Sequence, residues 1–104
     1  MTCARCGRGI WGARALASGY GEQCRRRVLR AARALHQGGG SVQRHAATLL
    51  EEGVTVPHGH PRVWLVPSSD GERWYLAHPN ACTCDGGRYQ CVCYHRVAAQ
   101  VLAA

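Results

Sequence analysis

Cys82-Thr83-Cys84 and Cys93-Tyr94-His95 set three thiols and an imidazole in two short pairs, with eight residues between the pairs. Zinc takes four soft or borderline donors in a tetrahedron. A Cys-x-Cys knuckle after a strand can supply two thiolates, and Cys93 with His95 at the start of a helix can supply the other donors. Asp85-Gly86-Gly87 lets the chain turn back between the pairs, because glycine tolerates the positive φ that such turns use. Four protein donors leave no position for water, which makes a structural centre and not a catalytic one. Cys91 forms a second Cys-x-Cys pair with Cys93, so the choice of ligand between these two is open. Two disulfides among Cys82, Cys84, Cys91 and Cys93 are the competing use of the same thiols.

A second group stands near the N-terminus. Cys3-x-x-Cys6-Gly7 has the spacing of a zinc knuckle, and Cys24 follows after 17 residues, just inside a predicted helix. The pattern Cys3-Ala4-Arg5-Cys6-Gly7-Arg8 with Gly19-Tyr20-Gly21-Glu22-Gln23-Cys24 resembles treble-clef or ribbon fingers. It is also similar to a pattern carried by small bacterial and phage zinc-finger proteins. A fourth ligand is missing from the frame, since the position three residues after Cys24 is Arg27. Cys91, His36, His45, His58 and His60 are the candidates. Cys91 would employ all seven cysteines in two centres and tie the two ends of the chain together. A redox dithiol at Cys3 and Cys6 is the alternative, but it calls for a βαβ setting that the sequence does not contain.

The elements that must hold these groups are short. Residues 22–36 are predicted helical: Val28, Ala31, Ala32 and Leu35 share one face, and Arg26, Arg30 and Arg33 share the opposite one. Gly38-Gly39-Gly40 ends it, Ser41 suits an N-cap, and 42–52 forms a second helix with Val42, Ala46, Leu49 and Leu50 as its apolar stripe. Gly53 is placed to stop that helix. No helix is predicted ahead of residue 22, where Gly12, Gly19 and Gly21 interrupt the chain. Residues 62–66 and 73–78 read as strands around a Pro67–Gly71 turn, and 92–103 as a last helix. Trp64, Trp74 and Tyr75 are expected in the core more than on a base-stacking surface. The organisation expected is a knuckle with helical hairpin over 1–53, a connector over 54–61 and a finger over 62–104.

That finger resembles the SWIM zinc finger. The matching residues are Cys82-x-Cys84 and Cys93-x-His95-x-x-Ala98, preceded by the hairpin of residues 62–78. The resemblance implies Cys82, Cys84, Cys93 and His95 as the zinc ligands, Cys93 being preferred over Cys91 because it alone sits in the Cys-x-His-x-x-Ala frame. It also implies a family linked to DNA and protein binding. The fold class expected is therefore small α+β and zinc-stabilised, with one zinc at the finger and a second at Cys3, Cys6 and Cys24.

Composition agrees with a need for metal staples. The chain has 104 residues, no Phe, one Met, seven Cys and six His, so its apolar core must be thin. No secretory signal or membrane-length apolar run is visible, which points to a cytoplasmic, reducing setting in which clustered cysteines bind metal. The formal charge is +7, and all 13 cations are Arg, a bias that GC-rich coding also produces. Zinc thiolates would lower that charge to about +5, still suited to an acidic partner. There is no Ser/His/Asp set, P-loop or carboxylate pair, so no enzyme is expected. The leading expectation is a nucleic-acid-binding or regulatory module with phosphate contacts from Arg26, Arg30 and Arg33. The alternative is an adapter whose finger docks on a larger protein.

Overall fold

The computed structural model describes residues 2–59, 62–68, 70–84 and 93–104. His60, the Asp85-Gly86-Gly87 turn and Cys91 lie outside them.

The chain runs through α1 (Ala13–Ser18), α2 (Glu22–Gly38), α3 (Ser41–Glu52), β1 (Val56–Pro57), β2 (Trp64–Pro67), β3 (Trp74–His78), β4 (Ala81–Cys82) and α4 (Tyr94–Ala103). It is a small α+β fold in which three longer helices pack with a four-stranded antiparallel sheet of order β1-β2-β3-β4. α1 departs from expectation. Gly12 and Gly19 bracket it in place of breaking it, both with positive φ, and the Ala-Arg-Ala-Leu-Ala run between them is a good helix former. α2 begins at Glu22 as expected and runs two residues beyond 36. At α3 the cap moves by one residue. Gly40, not Ser41, is the N-cap, because the Gln43 side chain reaches back to accept the Gly40 N–H at 2.9 Å.

α2 and α3 form the expected hairpin, and α3 also carries α4. α4 then lies on β3 and β4. Alternation sets the sheet's inner face: Trp64, Val66 and Ala77 are buried, while Val56, Leu65 and Leu76, opposite one another across β1, β2 and β3, are more exposed. The expectation for the aromatics splits at this point. Trp64 is 2% exposed and belongs to the core, whereas Trp74 is 54% exposed on the outer face.

Large side chains in the core are few. Trp64, Tyr20, Leu50, Leu102, Val28 and Val66 fill it, with alanines between them. Tyr20 donates its hydroxyl to the Leu50 carbonyl at 2.7 Å, and burial pushes its phenol well above the ordinary value. The end of α1 meets the end of α3 through two glycines. A Cβ on Gly53 would collide with the Ser18 carbonyl, and one on Gly19 with the Gly53 carbonyl. Both glycines also have positive φ, so they alone permit this approach.

Candidate metal centres

Two groups of donors converge. The ligand atoms of Cys82, Cys84, Cys93 and His95 all lie within 4.8 Å of one another, and so do those of Cys3, Cys6 and Cys24. Each group is assembled from separate elements by identifiable backbone bonds.

At the C-terminal group, β4 delivers Cys82. Thr83 then anchors the knuckle to β3: its N–H donates to the Leu76 carbonyl at 3.1 Å and its hydroxyl accepts the Leu76 N–H at 3.0 Å. Cys93 is the N-cap of α4, and His95 lies in that helix's first turn. The His95 ring is buried. Its Nε2 lies 3.0 Å from the Pro67 carbonyl, while its Nδ1 is buried without a hydrogen-bond partner. A carbonyl only accepts, so Nε2 carries the proton and Nδ1 presents a lone pair. A buried imidazole with a free acceptor and a ligand atom within 4.8 Å of three sulfurs could complete the donor set of a thiol-rich metal site, with Pro67 fixing tautomer and ring orientation. Burial also depresses the His95 pKa, which keeps the ring neutral.

The thiols of this group resist ionisation in the absence of a cation. Burial pushes the Cys82 and Cys93 thiols up, and the proximity of Cys84 adds repulsion between thiolates. A divalent ion offsets both effects. The Tyr94 ring stacks beside His95 at 4.1 Å between centroids and reaches His45 at 5.8 Å, so Tyr94 lies against the group half-buried.

At the N-terminal group, the knuckle is a tight turn. Gly7 N–H donates to the Cys3 carbonyl at 3.0 Å, with Gly7 at φ 78°, and Cys3 N–H donates to Arg8. Cys24 joins from the first turns of α2. The Cys6 and Cys24 sulfurs are 3.8 Å apart. A zinc–sulfur bond of about 2.3 Å sets a tetrahedral edge of about 3.8 Å, against about 2.05 Å for a disulfide. Among the described residues these cysteines are free. Burial raises the Cys3 thiol, but backbone hydrogen bonds, with Cys6 the first of them, outweigh burial and its net shift is downward.

Arg5 was not among the site residues expected from sequence. Its guanidinium donates to the Cys24 sulfur at 3.5 Å and to the Ala104 carbonyl at 2.6 Å, and its own carbonyl accepts Trp64 Nε1–H at 3.1 Å. Nothing in a Cys-x-Arg-Cys spacing signals this role, because the partners are distant in sequence. The buried Thr55 hydroxyl similarly donates to the Ala4 carbonyl at 2.8 Å.

The expected fourth N-terminal ligand needs correction in one respect. His36 does not approach the three thiols. It stands twelve residues beyond Cys24 on one continuous helix, about 18 Å along the axis, and bonds Glu51 at 2.6 Å. His45 and His58 do not join the group either. Cys91 and His60 fall outside the described residues. Arg26, Arg30 and Arg33 are exposed along α2, with Arg26 held at 3.4 Å by Glu22. No helix among the described residues is long and apolar enough to cross a membrane. No family model, curated protein or solved structure matches the chain.

Proposed function

We propose that this chain is a non-enzymatic zinc-binding module, in which two structural zinc centres hold an arginine-rich helix for an acidic partner. The observation that carries the reading is His95: its Nδ1 is buried with no partner, and its ring offers a ligand atom within 4.8 Å of those of three cysteines. The C-terminal ligands are Cys82, Cys84, Cys93 and His95. The N-terminal ligands are Cys3, Cys6 and Cys24, with Cys91 as the fourth donor by count. The β2–β3 hairpin ahead of the Cys82 knuckle, and Cys93 and His95 at the start of α4, support the SWIM resemblance. Native mass spectrometry of reduced protein tests the metal assignment. Two zincs per chain are expected, and a metal-free, disulfide-bonded mass would overturn it. Cys91→Ser then reports on the fourth donor, since loss of the N-terminal zinc is expected and retention of both zincs would remove Cys91 from the site.

Nucleic acid is the leading partner class, supported by a formal charge of +7 that stays positive, at about +4, with both zinc centres filled, and by exposed Arg26, Arg30 and Arg33 on one helix. If all three contact phosphates, affinity falls with log[salt] at a slope of about −3 for duplex DNA and about −2 for single strands, and Arg30→Ala reduces the duplex slope by about 1. Absence of binding at low salt would sink this reading. An adapter role is the second reading. It is favoured by a specific feature, an apolar groove beside the arginines.

A further inference from the structure

α2 and α4 each pack on α3 but touch one another only slightly, which leaves a groove between them. Ala31, Ala34 and Leu35 of α2 face Val97 and Val101 of α4 across it. The cavity along this line measures about 550 Å³, and an adjoining one of about 480 Å³ continues past Leu35 to Gln43 of α3. Both helices present residues at i, i+3, i+4 and i+7 to the same space: Arg27, Arg30, Ala31 and Ala34 on one side, Val97, Gln100, Val101 and Ala104 on the other. That periodicity is the one a third helix covers. The alanines let such a helix come close, and the run from Arg27 to Gly38 gives it about 16 Å, or three turns.

Charge selects among occupants. Arg27 and Arg30 stand on the groove wall, no acidic side chain lines either cavity, and neither arginine has an ion-pair partner among the described residues. We infer that the groove receives an amphipathic helix of a protein partner, its apolar face on Ala34, Leu35 and Val101 and its Asp or Glu residues beside Arg27 and Arg30. This is helix-in-groove recognition. Nucleic acid brings phosphates to the arginines but no aliphatic surface for the groove. A second copy of the chain brings its own arginines and meets like charge. The inference rests on the adapter reading and names its partner class. Arg26 and Arg33, on the neighbouring face of α2, stay available to phosphates.

The test uses the full chain with its zinc counted. The probe is a helix-forming peptide of about 14 residues with Leu along one face and Glu on both flanks. Saturable 1:1 binding is expected, weakened at least about tenfold by Ala34→Glu and by Arg27→Glu with Arg30→Glu. The charge-reversed double variant should instead take up the peptide with Lys in place of Glu. Ala34 is exposed on a helix, where Glu is well tolerated, and circular dichroism with the zinc count verifies each variant's fold. Absence of saturable binding to the folded, zinc-loaded chain would overturn the inference, as would binding indifferent to Ala34→Glu. Displacement of the peptide by duplex DNA would assign the groove to nucleic acid. A dimer that Ala34→Glu dissociates would assign it to a second copy, and either result also overturns the inference. Peptide binding by a folded chain without zinc would refute the metal reading and leave the groove assignment standing.

Discussion

At the scale of single residues, the two metal groups differ in how their donors are presented. His95 has both nitrogens committed in the proposed centre, Nε2 to Pro67 and Nδ1 to the metal. His95→Ala removes one donor and the lock on its orientation together, and Cys84→Ser removes one buried thiolate. Each is expected to lose one zinc and to melt α4 and the Cys82 knuckle, measured by metal count and amide exchange; retention of metal and protection would refute the ligand set. Protons compete for the same donors, so acidification releases zinc. The imidazole acts in the same direction without metal. Its folded pKa is depressed, so the unfolded chain binds the proton more readily, and stability falls as pH drops below the ordinary value of about 6.5. A chromogenic chelator followed from pH 8 to pH 5 should report rising zinc release, and flat release would count against a histidine-containing site. Tyr20→Phe removes one of two donors to the Leu50 carbonyl, the Gly53 N–H remaining at 3.2 Å, and should cost about 0.5–1.5 kcal/mol in denaturant unfolding.

At the scale of elements, glycines decide how the helices meet. Gly53 ends α3 in the left-handed region and faces the Ser18 carbonyl so closely that no Cβ fits. Gly53→Ala combines that collision with left-handed strain of about 1–2 kcal/mol, and should lower stability by more than about 2 kcal/mol. Gly38 offers the contrast. It closes α2 with open space at its Cβ position and without positive φ. Gly38→Ala should therefore stabilise the protein by about 0.4–1 kcal/mol, through the lower entropy of the unfolded chain. The two variants, compared by urea unfolding, separate glycine used for geometry from glycine used only as a spacer.

At the scale of the whole molecule, the N-terminal knuckle is bound to the far end of the chain. Arg5 links Cys24 to Ala104, Trp64 reaches the Arg5 carbonyl, and Thr55 reaches Ala4. One continuous buried cluster runs from Cys3 through Leu50 and Trp64 to Leu102. Chelation of zinc is thus expected to abolish far-UV helical signal and near-UV tryptophan signal in one transition, since the core is too thin to persist alone. Two well-separated transitions would show instead that the halves fold independently.

The sequence by itself determined the donor groups, because metal ligation demands particular side chains at short spacings that are visible in one dimension. It also determined the α2–α3 hairpin, the β2–β3 pair and α4, each written in local periodicity, turn chemistry or capping residues. It misjudged α1, where glycines act as ends and not as breaks. It also grouped Trp64 with Trp74, although strand alternation puts one on the inner face of the sheet and the other on the outer face. Only the tertiary structure decided that the Arg5 guanidinium reaches the Cys24 thiol and the Ala104 carbonyl. Only the tertiary structure, again, decided that α2 and α4 leave a basic-walled groove between them. These are distances between residues far apart in the chain, and such distances are set by packing around alanine-sized contacts, which no local pattern encodes.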